Sequence, residues 1–115
     1  MSMAGEGPYI QILARQLGGI CEAILPVGRA DVATGDRVFE VEPYHGWRNG
    51  LRQVLAYEGQ TGLVPCLALF GIGDYEKVFT FLRRRLARVE LWGYRYRCWG
   101  HITSVTQSRK YTHDS

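Results

Sequence analysis

The chain has 115 residues, 46% of them hydrophobic and 22% charged, with a formal net charge of +3. That is enough for one packed core and too little for two, so a single fold has to carry any site. No apolar run approaches the roughly 20 residues that cross a bilayer, and the mild basic excess permits a polyanionic partner without demanding one.

Pro8 stands near the start of a helical pattern in which Ile10, Leu13 and Leu17 share one face, and Gly18-Gly19 ends it. Short β-prone runs follow at residues 20–25, 29–33 and 37–42, separated by Pro26-Val27-Gly28 and Thr34-Gly35-Asp36. They predict a three-stranded antiparallel meander, stopped at Pro43 because proline cannot donate to a ladder. Trp47, Leu51, Val54 and Leu55 mark the apolar face of a second helix closed by Gly62. Residues 63–70 are almost wholly apolar, as a strand covered on both faces would be. Asp74 caps a third helix with Tyr75, Val78, Phe79, Leu82 and Leu86 toward the core, and residues 89–94 return as a last strand.

The expected fold class is therefore α+β, with an αβββαβ core and a mixed central sheet flanked by helices. One domain is expected over residues 1–102, with 103–115 a polar tail without order. Cys21, Cys66 and Cys98 are odd in number and widely spaced, which fits neither a disulfide framework nor paired zinc ligands. Residues 1–6 lack a basic-then-apolar signal pattern. A reducing cytoplasm is the expected compartment, with no membrane contact.

Centring the second hairpin on Gly35-Asp36 sets Asp31 opposite Glu40 and Arg29 opposite Glu42. Centring the first on Pro26-Val27 adds Glu22 on the other side of Asp31. Like charges facing each other across strands about 4.8 Å apart are destabilising. A divalent cation removes that penalty, since Mg²⁺ takes carboxylate oxygens and fills its remaining positions with water and phosphate. Ala30, Val32, Phe39 and Val41 alternate with the acids, so the acid side is expected to be open and the other side core. Taken singly, each acid reads as part of a solvated polar face; it is the aligned set that points to a site.

At Gly28-Arg29-Ala30-Asp31-Val32, followed by Glu40-Val41-Glu42, the sequence resembles the PD-(D/E)XK nuclease superfamily, whose restriction-endonuclease-like fold has this element order. Among its members, the likeness is to small Holliday-junction resolvases or homing endonucleases. The resemblance implies that Asp31, Glu40 and the backbone carbonyl of Val41 hold Mg²⁺, with Mn²⁺ able to substitute. It also matches Glu6, at the entrance to the first helix, to an extra acid of resolvase-like members, and Gln53 to a glutamine on their second helix. Where the family usually has lysine this chain has Glu42, which implies a role as general base or further ligand in activating water, with Arg29 supplying the missing positive charge.

The implied activity is a Mg²⁺-dependent deoxyribonuclease cutting DNA internally. The alternative is a catalytically inactive nucleic-acid-binding module of the same fold. Arg48 and Arg52 on the second helix, and Lys77, Arg84 and Arg88 beside Phe81 on the third, are candidate phosphate contacts. Cutting two strands with one site per domain suggests a homodimer. The late aromatics Trp92, Tyr94, Tyr96 and Trp99 suit core, a dimer face or a stacking platform. No Walker loop, zinc spacing or Cys-His pairing competes, because His45, His101 and His113 lack partners in sequence.

Overall fold

The computed structural model describes residues 6–26, 28–85, 88–96 and 102–110, with residues 95–96 and 102–110 described by their backbone alone. Helix α1 (Glu6–Leu17) carries Glu6 in its first turn, where a negative charge suits the helix dipole, and buries Ile10, Leu13 and Ala14. Gly18, at φ 68°, turns the chain out of it, and the Gly19 N–H closes onto the Ala14 carbonyl at 2.9 Å.

Strands β1 (Ile20–Leu25), β2 (Gly28–Ala33) and β3 (Arg37–Pro43) form the expected antiparallel meander. A short 3₁₀ turn, Tyr44–Gly46, leads into helix α2 (Trp47–Thr61), which ends on Gly62 in the left-handed conformation at φ 74°. Strand β4 (Val64–Phe70) then runs parallel to β3. Helix α3 (Tyr75–Arg84) is capped by Asp74, whose carboxylate accepts the Lys77 N–H at 3.1 Å. It delivers strand β5 (Glu90–Tyr96) parallel to β4. The sheet runs in chain order from β1 to β6, and its two parallel joints lie where helices cross over.

The αβββαβ order and mixed sheet are thus present, but the domain does not stop at residue 102. Strand β6 (Ile102–Lys110) pairs antiparallel with β5, where a polar tail had been expected. Its composition was polar enough to suggest a tail, yet Ile102, Thr103, Val105 and Thr106 are β-branched. The exposed edge of β5 offers them a ladder. Leu86, Cys98, Trp99, His101 and His113, and the side chain of Tyr96, lie outside the described residues.

Two cores lie on opposite faces of the sheet. Under α1, Leu13 packs on Val32, Phe39, Val41, Cys66, Ala68 and Trp92. Under α2 and α3, Trp47, Val54, Val78 and Leu82 pack on Leu67, Leu69 and Leu91. The alternation of Cys66 and Ala68 with Leu67 and Leu69 is the pleat of a strand buried on both faces. Trp92 and Tyr94 belong to the core. No described helix is long and apolar enough to cross a membrane.

One ion pair ties the sheet together across β4. Arg37 on β3 donates through Nε and a terminal nitrogen to the two oxygens of Glu90 on β5, at 2.9 and 3.1 Å. Trp92 Nε1 and the Cys66 thiol donate to the same carboxylate. Burial raises the Glu90 pKa, but the Arg37 bonds and those from Trp92 and Cys66 outweigh it and hold the carboxyl below its usual value.

Candidate active site

The strands part where the acids stand. The β2/β3 ladder pairs Val32 with Phe39 and Ala33 with Val38, the register that sets Asp31 across from Glu40. At Asp31 the side chains replace the ladder. The Val41 N–H donates to Asp31 Oδ2 at 2.8 Å, and the Asp31 N–H reaches Glu40 Oε2 at 3.4 Å. On the other side, β1 pairs Cys21 with Val32 and Ala23 with Ala30, so Glu22 falls across from Asp31. Glu22 itself sits at φ 51°, the only described non-glycine residue with positive φ. That conformation costs on the order of 1–3 kcal/mol and tends to cluster at functional sites.

The acid side of β3 is not an open face. Val38, Glu40 and Glu42 alternate with Phe39 and Val41, which places them beneath α2. Glu40 is only 4% exposed, and Glu42 is half-buried. Gly46 and Gly50 make room for Glu42: a Cβ on Gly50 would come within 2.8 Å of Glu42 Cγ and 2.7 Å of Leu67 Cδ1. Spacing along one strand could not reveal that α2 would settle on this face, since the closure depends on Gly46 and Gly50, which lie outside that strand.

Burial and mutual repulsion act together on these carboxylates. Glu40 is pushed up to about 9 by burial and by the charge of Asp31. Glu42 rises to about 7 through burial, then through Glu6 and Asp31. Asp31 is raised chiefly by burial, against the bond from Val41, and Glu6 is raised by burial and by Asp31. The ion pairs of the described residues leave Asp31, Glu40 and Glu42 without a cationic partner. Ordinary ion pairing therefore does not explain the cluster.

Arg29 does not face Glu42 as its register position suggested. It bonds to Glu22 at 2.7 Å, with both side chains largely exposed. Glu42 is held under α2, whereas the kinked backbone at Glu22 brings that acid to Arg29. Glu6, Ile10, Glu22, Arg29 and Asp31 line a hollow of about 230 Å³ that leads to the acids from the α1 side. Tyr57, one turn beyond Gln53 on α2, donates to the Arg29 carbonyl at 2.9 Å. Its hydroxyl is pushed up to about 12 by burial and then by Glu40 and Asp31.

Gln53 lies on α2 between Gly50, which touches Glu42, and Tyr57, which feels Glu40. Its Oε1 is buried without a hydrogen-bond partner. Carboxylates without a cation, and a buried orphan acceptor on the helix that covers them, are hard oxygens of the kind Mg²⁺ or Mn²⁺ takes. Asp31 and Glu40 would hold the ion through the oxygens not committed to backbone N–H groups. Among the described residues, no group of three or more His, Cys, Asp or Glu side chains is placed to hold a metal ion.

Of the basic candidates, Arg48, Lys77 and Arg84 line one groove of about 370 Å³ between α2 and α3, together with Trp47, Phe81 and Arg85. Arg52 instead bonds Asn49 at 2.9 Å, and Arg88 is exposed beyond the end of α3. Sequence spacing missed Arg85, Gly50 and Tyr57. The Arg83-Arg84-Arg85 run and the Gly46/Gly50 pair were visible, but their meaning depends on how the helices dock.

No family model matches the chain. No solved structure matches it significantly. It is similar to two putative KilA-N domain-containing proteins of Acanthamoeba polyphaga mimivirus. One is 34% identical over 62 residues, covering 53% of this chain and 25% of the viral protein. The other is 36% identical over 67 residues, covering 57% of this chain and 18% of the viral protein. The similarity thus spans a quarter or less of these curated relatives.

Proposed function

We propose that this chain is a metal-dependent endonuclease domain that hydrolyses DNA phosphodiester bonds. The observation that carries the reading is the pair of half-buried Asp31 and buried Glu40 where β2 and β3 part, with Glu40 pushed up to about 9 and neither acid in an ion pair among the described residues. The element order and the positions of Asp31, Glu40 and Gln53 are those expected of a restriction-endonuclease-like nuclease.

A bound Mg²⁺ supplies charge stabilisation at the scissile phosphate. Asp31 and Glu40 would hold it, with the Val41 carbonyl as a further oxygen. Glu42, with a pKa pushed up to about 7, is matched to accept a proton from the attacking water near neutral pH. Gly46 and Gly50 fix where that carboxylate sits. Gln53 orients water through its orphan acceptor Oε1, and Arg29 tethers Glu22 at the mouth of the hollow. Two copies of the chain would serve the two strands of a duplex.

A second reading is a catalytically inactive DNA-binding module. It is favoured by the capping of Val41 by Asp31 and by Glu42 in place of lysine. The two similar viral proteins are described as KilA-N domain-containing, and KilA-N is a DNA-binding domain. Incubation with linear duplex, supercoiled and four-way-junction DNA, in Mg²⁺, Mn²⁺ or EDTA, separates the two. Cutting that needs metal and is lost in Asp31→Ala and Glu40→Ala supports the nuclease. Cutting that survives EDTA or both substitutions overturns the mechanism, and binding without cutting favours the inactive module.

A further inference from the structure

The acid cluster has a counterpart of opposite sign. Arg48, Lys77, Arg84 and Arg85 line the α2/α3 groove against two carboxylates, Asp74 and Glu76. Asp74 is already occupied in capping α3. None of the four cations has an ion pair among the described residues. Four cations against two carboxylates leave the groove net positive, and that excess costs the fold energy, as the acids do.

Two of these cations are held in place by stacking. The Arg48 guanidinium lies 4.3 Å from the Trp47 ring centre, and that of Arg85 lies 3.8 Å from Phe81. The two rings meet edge to face at 5.0 Å. A guanidinium whose face rests on an aromatic ring keeps its N–H edges free for an anion, with little side-chain entropy left to lose. The groove also adjoins the acids. Trp47 follows Gly46, whose Cβ, if present, would lie 2.8 Å from Glu42 Oε1.

We infer that the α2/α3 groove is a phosphodiester-backbone site that grips the DNA strand flanking the phosphate presented to the acid cluster. The identity of that strand rests on the nuclease reading; the groove's chemistry does not. Charge and planar donors select phosphate, and the stacking of Arg48 on Trp47 and of Arg85 on Phe81 takes up ring faces that a base would need. Single-stranded and duplex DNA share this chemistry, and the test separates them.

Fluorescence anisotropy with labelled single-stranded and duplex oligonucleotides in EDTA, across a salt series, measures binding without cutting. The double variant Arg84→Glu with Arg85→Glu should weaken binding about tenfold or more and lower the salt slope by about two. A control with the same charge change, Arg15→Glu with Arg83→Glu, uses exposed positions off the groove and should change affinity by less than about threefold. The duplex-to-single-strand affinity ratio identifies the strand form held. If the first double variant fails to fold by circular dichroism, Lys77→Gln with Arg84→Gln replaces it.

Equal losses in both double variants, no loss in the groove variant, or no binding by the unaltered chain at low salt overturns the inference. Groove-dependent binding by a protein that never cuts DNA upholds the site and defeats the nuclease reading. Metal-dependent cutting with binding indifferent to the groove does the reverse.

Discussion

Glu90 and Glu40 are both nearly buried, at 3% and 4% exposure, and both belong to the same sheet. Glu90 receives Arg37, Trp92 and Cys66, and its carboxyl stays below the usual range despite burial. Glu40 receives a long bond from the Asp31 N–H, has the Asp31 carboxyl for a neighbour and no cationic partner among the described residues, and is pushed up to about 9. At one end of β3 the chain supplies its own cation, and at the other it does not. A buried carboxylate is a structural element when its partners are complete and a candidate site when they are missing.

The comparison breaks most sharply if the acids are removed. Asp31→Ala should reduce metal-dependent cutting on the order of 100-fold or more, measured by single-turnover cleavage, while leaving the melting temperature unchanged or raised. Removing the partner at the other end should do the opposite. Arg37→Met should destabilise by about 3–5 kcal/mol in urea unfolding, because the buried Glu90 carboxylate loses its cation and keeps only neutral donors such as Trp92 and Cys66. Combining it with Glu90→Met should recover much of the loss. If Arg37→Met is neutral, the two ends do not differ as described.

A cavity-free substitution tests the closure over the site. Gly50→Ala should cost about 1–3 kcal/mol and also weaken cutting, since the new methyl meets Glu42 and Leu67. pH sharpens the contrast further. Unfolded Glu40 loses its proton near 4.5, but in the folded, metal-free chain it keeps it to about 9. The folded state therefore binds more protons between those values, and stability falls as pH rises through the window. Glu42, pushed up to about 7, acts in the same direction. Glu90, lowered on folding, acts oppositely: its contribution is present above 4.5 and is lost as pH falls further. Thermal melts from pH 4 to 9 in EDTA should show both limbs, and saturating Mg²⁺ should flatten only the alkaline one. The smallest effect is expected of Tyr57→Phe, about 0.5–1.5 kcal/mol for one lost bond to the Arg29 carbonyl.

The alignment of Asp31 with Glu40 and Glu22 was legible because register follows from turn centres and strand parity, both local properties. So were the helix ends at Asp74 and Gly62, where one residue type answers a specific backbone need. The partner of Arg29 was not, because the left-handed kink at Glu22 is a distortion that strand patterning cannot express. The covering of Glu40 by α2 and the assembly of Arg48 with Arg84 and Arg85 depend on helix docking, which gathers residues far apart in the chain. Strand β6 escaped because its pairing depends on the edge that β5 leaves open rather than on an apolar alternation of its own.

The thiol of Cys66 has a further use. It is fully buried at the sheet centre and bonded to Glu90, and burial pushes its pKa up, so the reactive thiolate is suppressed in the native state. Its alkylation by a soluble reagent should therefore wait until the middle strands separate, while half-buried Cys21 on the edge strand reacts sooner. Peptide-resolved labelling rates at these two positions would time the opening of the sheet's centre against its margin, and whether metal slows one or both would tell how far the clamped acids brace the strands beyond them.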